Sequence, residues 1–178
     1  IGALRFTGKT KKQLLWEANL HFSAGERSAQ KSVLFEPPVS DFKLPHLGDD
    51  PVEDAYDEIE LLGFPLCTWF GLLEKPIPEH EVVADTLPNM IGQRVTITAY
   101  LVNTKYTRTI KGDIMGFGCF LDRKGRFVDT THFPQSMQRY PLSGTGVYRL
   151  YGKVCDDFGI ASVDVERMER LGYKKDPR

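Results

Sequence analysis

Between Ile91 and Leu171 five short β-type runs are packed into about eighty residues. They are Val95–Val102 (VTITAYLV), Ile114–Asp122 (IMGFGCFLD), Arg126–Phe133 (RFVDTTHF), Gly146–Val154 (GVYRLYGKV) and Ile160–Val165 (IASVDV). The first alternates branched and polar residues, and turn residues separate the runs. Gly116 and Gly118 stand among large apolar side chains in the second run, where they relieve crowding at a bend or admit a close backbone. This pattern predicts a mainly β fold with flanking helices: a five-stranded Greek-key barrel of the OB type. Such barrels often carry single-stranded nucleic acid.

Charge is distributed unevenly. From Ile91 to Val154 there are ten bases and three acids, a net of +7, although the whole 178-residue chain sums to −1. The segment Asp49–Glu60 alone holds seven acids. Sign asymmetry between segments points to an anionic partner for the basic one. Cys67, Cys119 and Cys155 show no CxxC spacing, which argues against a disulfide framework or zinc site and fits a reducing cytoplasm. No apolar run approaches the ~20 residues of a membrane span, and no signal peptide is visible. The chain opens at Ile1 within structured-looking sequence, as expected of a fragment of a longer protein or a processed chain.

Residues 1–22 read as a helical segment. Thr10-Lys11-Lys12-Gln13 has capping-box form, and Leu14, Leu15, Trp16, Ala18 and Leu20 follow. So short and apolar a helix needs a packing partner. Residues 23–49, with Pro37, Pro38 and Pro45, read as a linker. Residues 50–90 read as a helix and an extended connector. Asp50 caps, Pro51 takes the first position, Val52, Ala55, Tyr56, Ile59 and Leu62 keep helical spacing, and Gly63 with Pro65 ends it. The apolar stretch Phe64–Leu73 is expected to pack on the barrel, which spans 91–171; residues 172–178 form a tail.

The catalytic inventory is sparse: no P-loop, GxSxG or HExxH occurs. No cofactor is implied. Asp129 and His132, three apart on a strand, point to opposite faces, which disfavours a shared metal and makes a metal-dependent nuclease the weaker alternative. The binding inventory is fuller. Lys105, Tyr106, Arg108 and Lys111 lie in a polar stretch, KYTRTIK, read as the loop between the first two strands, beside the groove of an OB fold. The cations would neutralise phosphates and Tyr106 would stack on a base. Phe117, Phe120 and Phe127 read first as core, with Phe117 the candidate stacking residue; Arg126, Arg139 and Arg149 are further candidate contacts.

Three blocks resemble the C-terminal region of the bacterial replicative DNA polymerase III alpha subunit. RFTGKTKKQLLWEA (Arg5–Ala18) is similar to the end of that family's helix-hairpin-helix region. DEIELLGFPL (Asp57–Leu66) is similar to the segment before its OB domain. Val95–Pro134, with KGDIMGF and a strand ending in Phe-Pro, resembles the first half of that domain; Asp129-Thr130-Thr131-His132 is more polar than the family's third strand. The resemblance implies a non-catalytic part of a DNA-directed DNA polymerase, a nucleotidyltransferase acting in the cytoplasmic replisome. Its OB domain would hold single-stranded template DNA during replication. It also implies a sliding-clamp peptide in the linker, where Gln30, Lys31, Leu34 and Phe35 stand, with the glutamine one residue earlier than usual. The alternative use of the chain is as an interaction scaffold for the clamp or other replisome proteins. A tRNA-binding barrel is a further nucleic-acid reading, without support from the upstream blocks.

Overall fold

The computed structural model describes residues 2–29 and 47–178. Gln30, Lys31, Leu34 and Phe35 therefore lie outside the described residues. The described residues form two compact units: those before Cys67 together with 176–178, and residues 67–175.

In the first unit, α1 spans Lys11–Ala29, so its backbone stays helical through residues 23–29, beyond the boundary expected at residue 22. Its start is a reciprocal cap: Gln13 N–H donates to Thr10 Oγ1 at 3.2 Å, and Thr10 N–H donates to Gln13 Oε1 at 3.0 Å. The second helix, α2, spans Pro51–Leu62, with Val52 N–H donating to Asp50 Oδ1 at 2.8 Å and Gly63 left-handed at its end. Lys11 binds both Asp54 and Asp57 of α2, and Lys12 binds Glu53 at 2.8 Å. The ammonium of Lys11 beside Asp57 holds that carboxyl below its ordinary value.

The second unit is the barrel. Its strands are β1 (Arg94–Arg108), β2 (Ile114–Asp122), β3 (Phe127–His132), β4 (Gly146–Asp157) and β5 (Ile160–Arg170). They close in the order β1-β2-β3-β5-β4, with β4 returning to β1. Every pairing is antiparallel except β3 with β5. A short helix, α3 (Pro134–Arg139), joins β3 to β4. This closed five-stranded barrel, mainly β with flanking helices, is an OB fold. The sequence pattern did not disclose α3, which offers one apolar residue, Met137, in six.

Alternation sends Val95, Ile97, Ala99 and Leu101 of β1 inward, against Phe120, Val128, Leu150, Val154, Val163 and Val165. Full burial of one such large side chain stabilises by about 1.5–3 kcal/mol. Gly116 and Gly118 face this interior. A Cβ on Gly118 would lie 2.5 Å from the Phe120 ring and 2.8 Å from Thr130 Oγ1. Their role is to let the wall bend over the core.

The connector before the barrel is pinned to it. Trp69 stacks on Tyr100 of β1 at 5.2 Å with planes 8° apart, and Leu72 and Leu73 are buried. Arg123 donates to the carbonyls of Pro78, Glu79 and Glu81 at 3.1, 2.5 and 3.3 Å. The buried Asp122 carboxylate accepts three backbone N–H bonds, from Ala84, Lys124 and Arg126, at 2.8–2.9 Å. That satisfies a charge which burial alone would strongly disfavour.

Candidate nucleic-acid interface

β1 is longer than its alternating run. A bulge between Leu101 and Asn103 reverses the phase, and the strand then continues through Arg108 on polar residues alone. Thr107 and Arg108 pair with Met115 and Ile114, beyond the last residue of β2 that pairs with β3. The two strands thus project as a hairpin arm. Lys105, Tyr106 and Arg108, expected in a loop, are strand residues; the connection proper is only residues 109–113, which hold Lys111 and are closed by Thr109 N–H to the Asp113 carbonyl at 2.8 Å.

Register decides which residues share a face. Lys105 lies opposite Phe117, Phe117 opposite Thr131, and Cys119 opposite Asp129, all on the outer face. Leu121 opposite Phe127 continues the row. Phe117 is 38% exposed and Phe127 67%, whereas Phe120 is fully buried. The expectation that all three are core therefore holds for Phe120 only, because the other two occupy the opposite phase of the pleat.

This outer face contains a cavity of about 300 Å³ whose lining includes Lys105, Phe117, Cys119, Asp129, Asp157 and Ser162. Asp157 ends β4 and Ser162 sits in β5, so the cavity extends from the base of the β1–β2 arm to the β4–β5 turn. The hydroxyl of Ser162 is buried and has no hydrogen-bond partner. Burial pushes the Cys119 thiol above its ordinary value, and the Asp129 carboxylate adds to the shift. At Cys155 the Asp164 hydrogen bond, at 3.1 Å, does the same. Both thiols are therefore protonated at neutral pH, which makes them poor nucleophiles. Asp129 faces this cavity and His132 the interior, so β3 separates the two.

The β4–β5 turn consists of Phe158 and Gly159, with φ of 54° and 87°. Two positive φ angles are the signature of the tight turn that usually carries Asn-Gly. A phenylalanine there is strained and is fully exposed. Ile110, in the β1–β2 connection, is equally exposed. Sequence reasoning did not single out Phe158; the available signal was an aromatic residue preceding glycine between two alternating runs.

The other expected contacts are distributed differently. Tyr106 lies on the opposite side of β1 from Lys105, and its hydroxyl donates to the Leu142 carbonyl at 3.4 Å. Arg108, on the same side of β1 as Tyr106, donates to the Gly112 carbonyl at 3.4 Å within the arm, where Lys111 is exposed. Arg126 in the β2–β3 turn pairs with Asp85 at 3.5 Å. Arg139 ends α3 and is exposed. Arg149, on the β1–β4 side, lies 3.9 Å from Glu81, which also accepts from Thr98 at 2.5 Å. Lys105 and Phe117 thus meet in one groove with Arg108 and Lys111 on its arm, while Tyr106, Arg126, Arg139 and Arg149 lie elsewhere. Including the end of β4 and all of β5, residues 91–171 carry twelve bases and eight acids, a net of +4 rather than the +7 of the shorter span.

No helix among the described residues is long and apolar enough to cross a membrane. No family model matches the chain, and no curated protein matches it in sequence. Solved structures to which it is similar include the protein PriB from Ralstonia solanacearum, at 11% identity over 43% of this chain and 95% of that chain, with a TM-score of 0.35. The single-stranded DNA binding protein from Thermus aquaticus matches at 12% identity over 57% of this chain and 46% of that chain, with a TM-score of 0.42. The second OB-fold domain of replication protein A from Methanococcus maripaludis matches at 14% over 48% of this chain and 91% of that chain, with a TM-score of 0.36. Strand order and closure define the barrel independently of these partial likenesses.

Proposed function

We propose that the barrel binds single-stranded DNA across the outer face of β1, β2 and β3. One observation carries this reading: Phe117 and Lys105 are cross-strand neighbours in a groove bounded by a basic hairpin arm and an aromatic-tipped turn. A single strand offers what those groups complement, a π-face on each base and a phosphate between bases. Lys105 beside Phe117 would meet a phosphate in the groove, with Arg108 and Lys111 farther out on the arm; Phe117 in the groove and Phe158 at its end offer stacking surfaces. In the setting suggested by the sequence resemblance, the strand is the template of a replicative DNA polymerase. This barrel is then a non-catalytic part of a chain whose nucleotidyl transfer occurs in another domain.

The test is fluorescence anisotropy with a labelled thymidine oligomer at low and moderate salt. Binding is expected to be weak and to fall as salt rises, because neutralised phosphates release counterions. Charge reversal of Lys105, Arg108 and Lys111 to glutamate should abolish it. Absence of binding at low salt, or undiminished affinity in that triple variant, overturns the reading. For the polymerase setting, deleting residues 67–175 from the parent enzyme should weaken its hold on primed template while leaving nucleotide incorporation measurable.

A further inference from the structure

The groove is not uniformly basic, and the exception has a chemical meaning. Its cavity is lined by two carboxylates, Asp129 and Asp157, and a single lysine. Among the described residues no cation is ion-paired with either carboxylate. A phosphate entering here would meet like charge, so the cavity suits a group rich in N–H donors. A second feature points the same way: Ser162, 2% exposed, contributes to the lining and keeps a hydroxyl without a partner. Buried hydroxyls nearly always find one.

We infer that this cavity takes a nucleobase and selects guanine; the inference rests on the single-strand reading above. Asp129 is the diagonal neighbour of Phe117 across the β2–β3 pair, since Phe117 faces Thr131 and Cys119 faces Asp129. Diagonal neighbours stand roughly 7–8 Å apart, within reach of an aromatic ring. A base stacked on Phe117 can therefore direct its edge at the Asp129 carboxylate. Ionised carboxylates only accept hydrogen bonds. The Watson–Crick edge of guanine carries two adjacent donors, N1–H and the N2 amino group, matching the two carboxylate oxygens. Adenine and cytosine set one amino group beside an acceptor nitrogen, and thymine sets one N–H between two carbonyls that a carboxylate repels. The cavity thus ranks guanine first and thymine last. Phosphates remain on the arm, where the cations are.

Anisotropy with labelled thymidine oligomers tests this, comparing the plain oligomer with versions carrying one central guanine or one central hypoxanthine base. The guanine strand should bind about ten-fold more tightly than the plain one, in line with a good bidentate base contact. The hypoxanthine strand, lacking the N2 amino group, should fall between them. Asp129→Asn should erase the preference, and by removing a repulsive charge it should raise affinity for the plain oligomer. Equal affinity for plain and guanine strands refutes base selection and leaves strand binding standing. A preference that survives both Asp129→Asn and Asp157→Asn refutes the assignment to these carboxylates. Failure of every strand to bind refutes this inference and the single-strand reading together.

Discussion

The hydroxyl of Thr130 lies 3.0 Å from Nε2 of His132 and 2.9 Å from the Gly118 carbonyl. A hydroxyl has one proton, and the carbonyl can only accept, so Thr130 donates to Gly118 and Nε2 of His132 must carry its own hydrogen. That leaves Nδ1 an unprotonated acceptor with no partner in the barrel interior. Burial pushes the imidazole down to about 4, so the folded protein holds it neutral.

A pH dependence follows. Between about pH 4 and 6.5 the unfolded chain binds a proton at His132 and the folded chain does not, so stability rises with pH across that window. Acidification from neutral pH to 4 should remove about 3 kcal/mol through this residue, at 1.36 kcal/mol per pKa unit. Urea melts at several pH values should show the slope, and His132→Gln should flatten it whatever its effect at neutral pH. An equal slope in the variant would locate the acid sensitivity elsewhere.

Two glycines set steric limits on the barrel wall. A Cβ on Gly118 would press on the Phe120 ring, which can shift slightly, whereas a Cβ on Gly152 would collide with the Asp164 backbone carbonyl on β5. Gly118→Ala should therefore cost about 1–3 kcal/mol, the range of ordinary overpacking. Gly152→Ala should cost more, because backbone yields less readily than a ring. Denaturation midpoints of both variants check the order.

The five strands were legible because branched and aromatic residues gather in short runs that turn residues separate. The helix caps were legible because Thr10, Gln13, Asp50, Pro51 and Gly63 act through local bonds. What escaped depends on partners far along the chain. A bulge after Leu101 turned a polar stretch read as loop into a strand, and a phase change of one residue decides whether Tyr106 or Lys105 faces the groove. Phe117 and Phe127 looked like core because hydrophobicity alone cannot assign faces in a curved sheet. Arg149 looked like a phosphate contact until Glu81, 68 positions earlier, was found beside it. The basic excess shrank once Asp156 and Asp157 at the end of β4 and the charges of β5, which close the same barrel, were included.

Phe158 should trade stability against binding. At a φ of 54° a side chain of this kind costs about 1–2 kcal/mol, and its exposed ring recovers nothing by burial. Asparagine tolerates that conformation, so Phe158→Asn should stabilise the barrel by about 1 kcal/mol in thermal or urea melts. The same change removes a stacking surface worth ~1–3 kcal/mol per base, so affinity for a thymidine oligomer should fall by about five-fold or more. A variant both more stable and equally tight would mean the strain serves something other than the strand.

The salt dependence of binding should count the phosphates that the arm engages. Single strands lose affinity with a log–log slope of about −0.7 per neutralised phosphate. Lys105, Arg108 and Lys111 together therefore predict a slope near −2, shallow because Asp129 and Asp157 keep further phosphates out of the cavity. Replacing one of the three by alanine should make the slope shallower by about 0.7. Arg149→Ala should leave it unchanged, because that guanidinium is held beside Glu81 on the β1–β4 side. A slope that responds to Arg149 and not to Lys105 would place the strand on the opposite wall of the barrel.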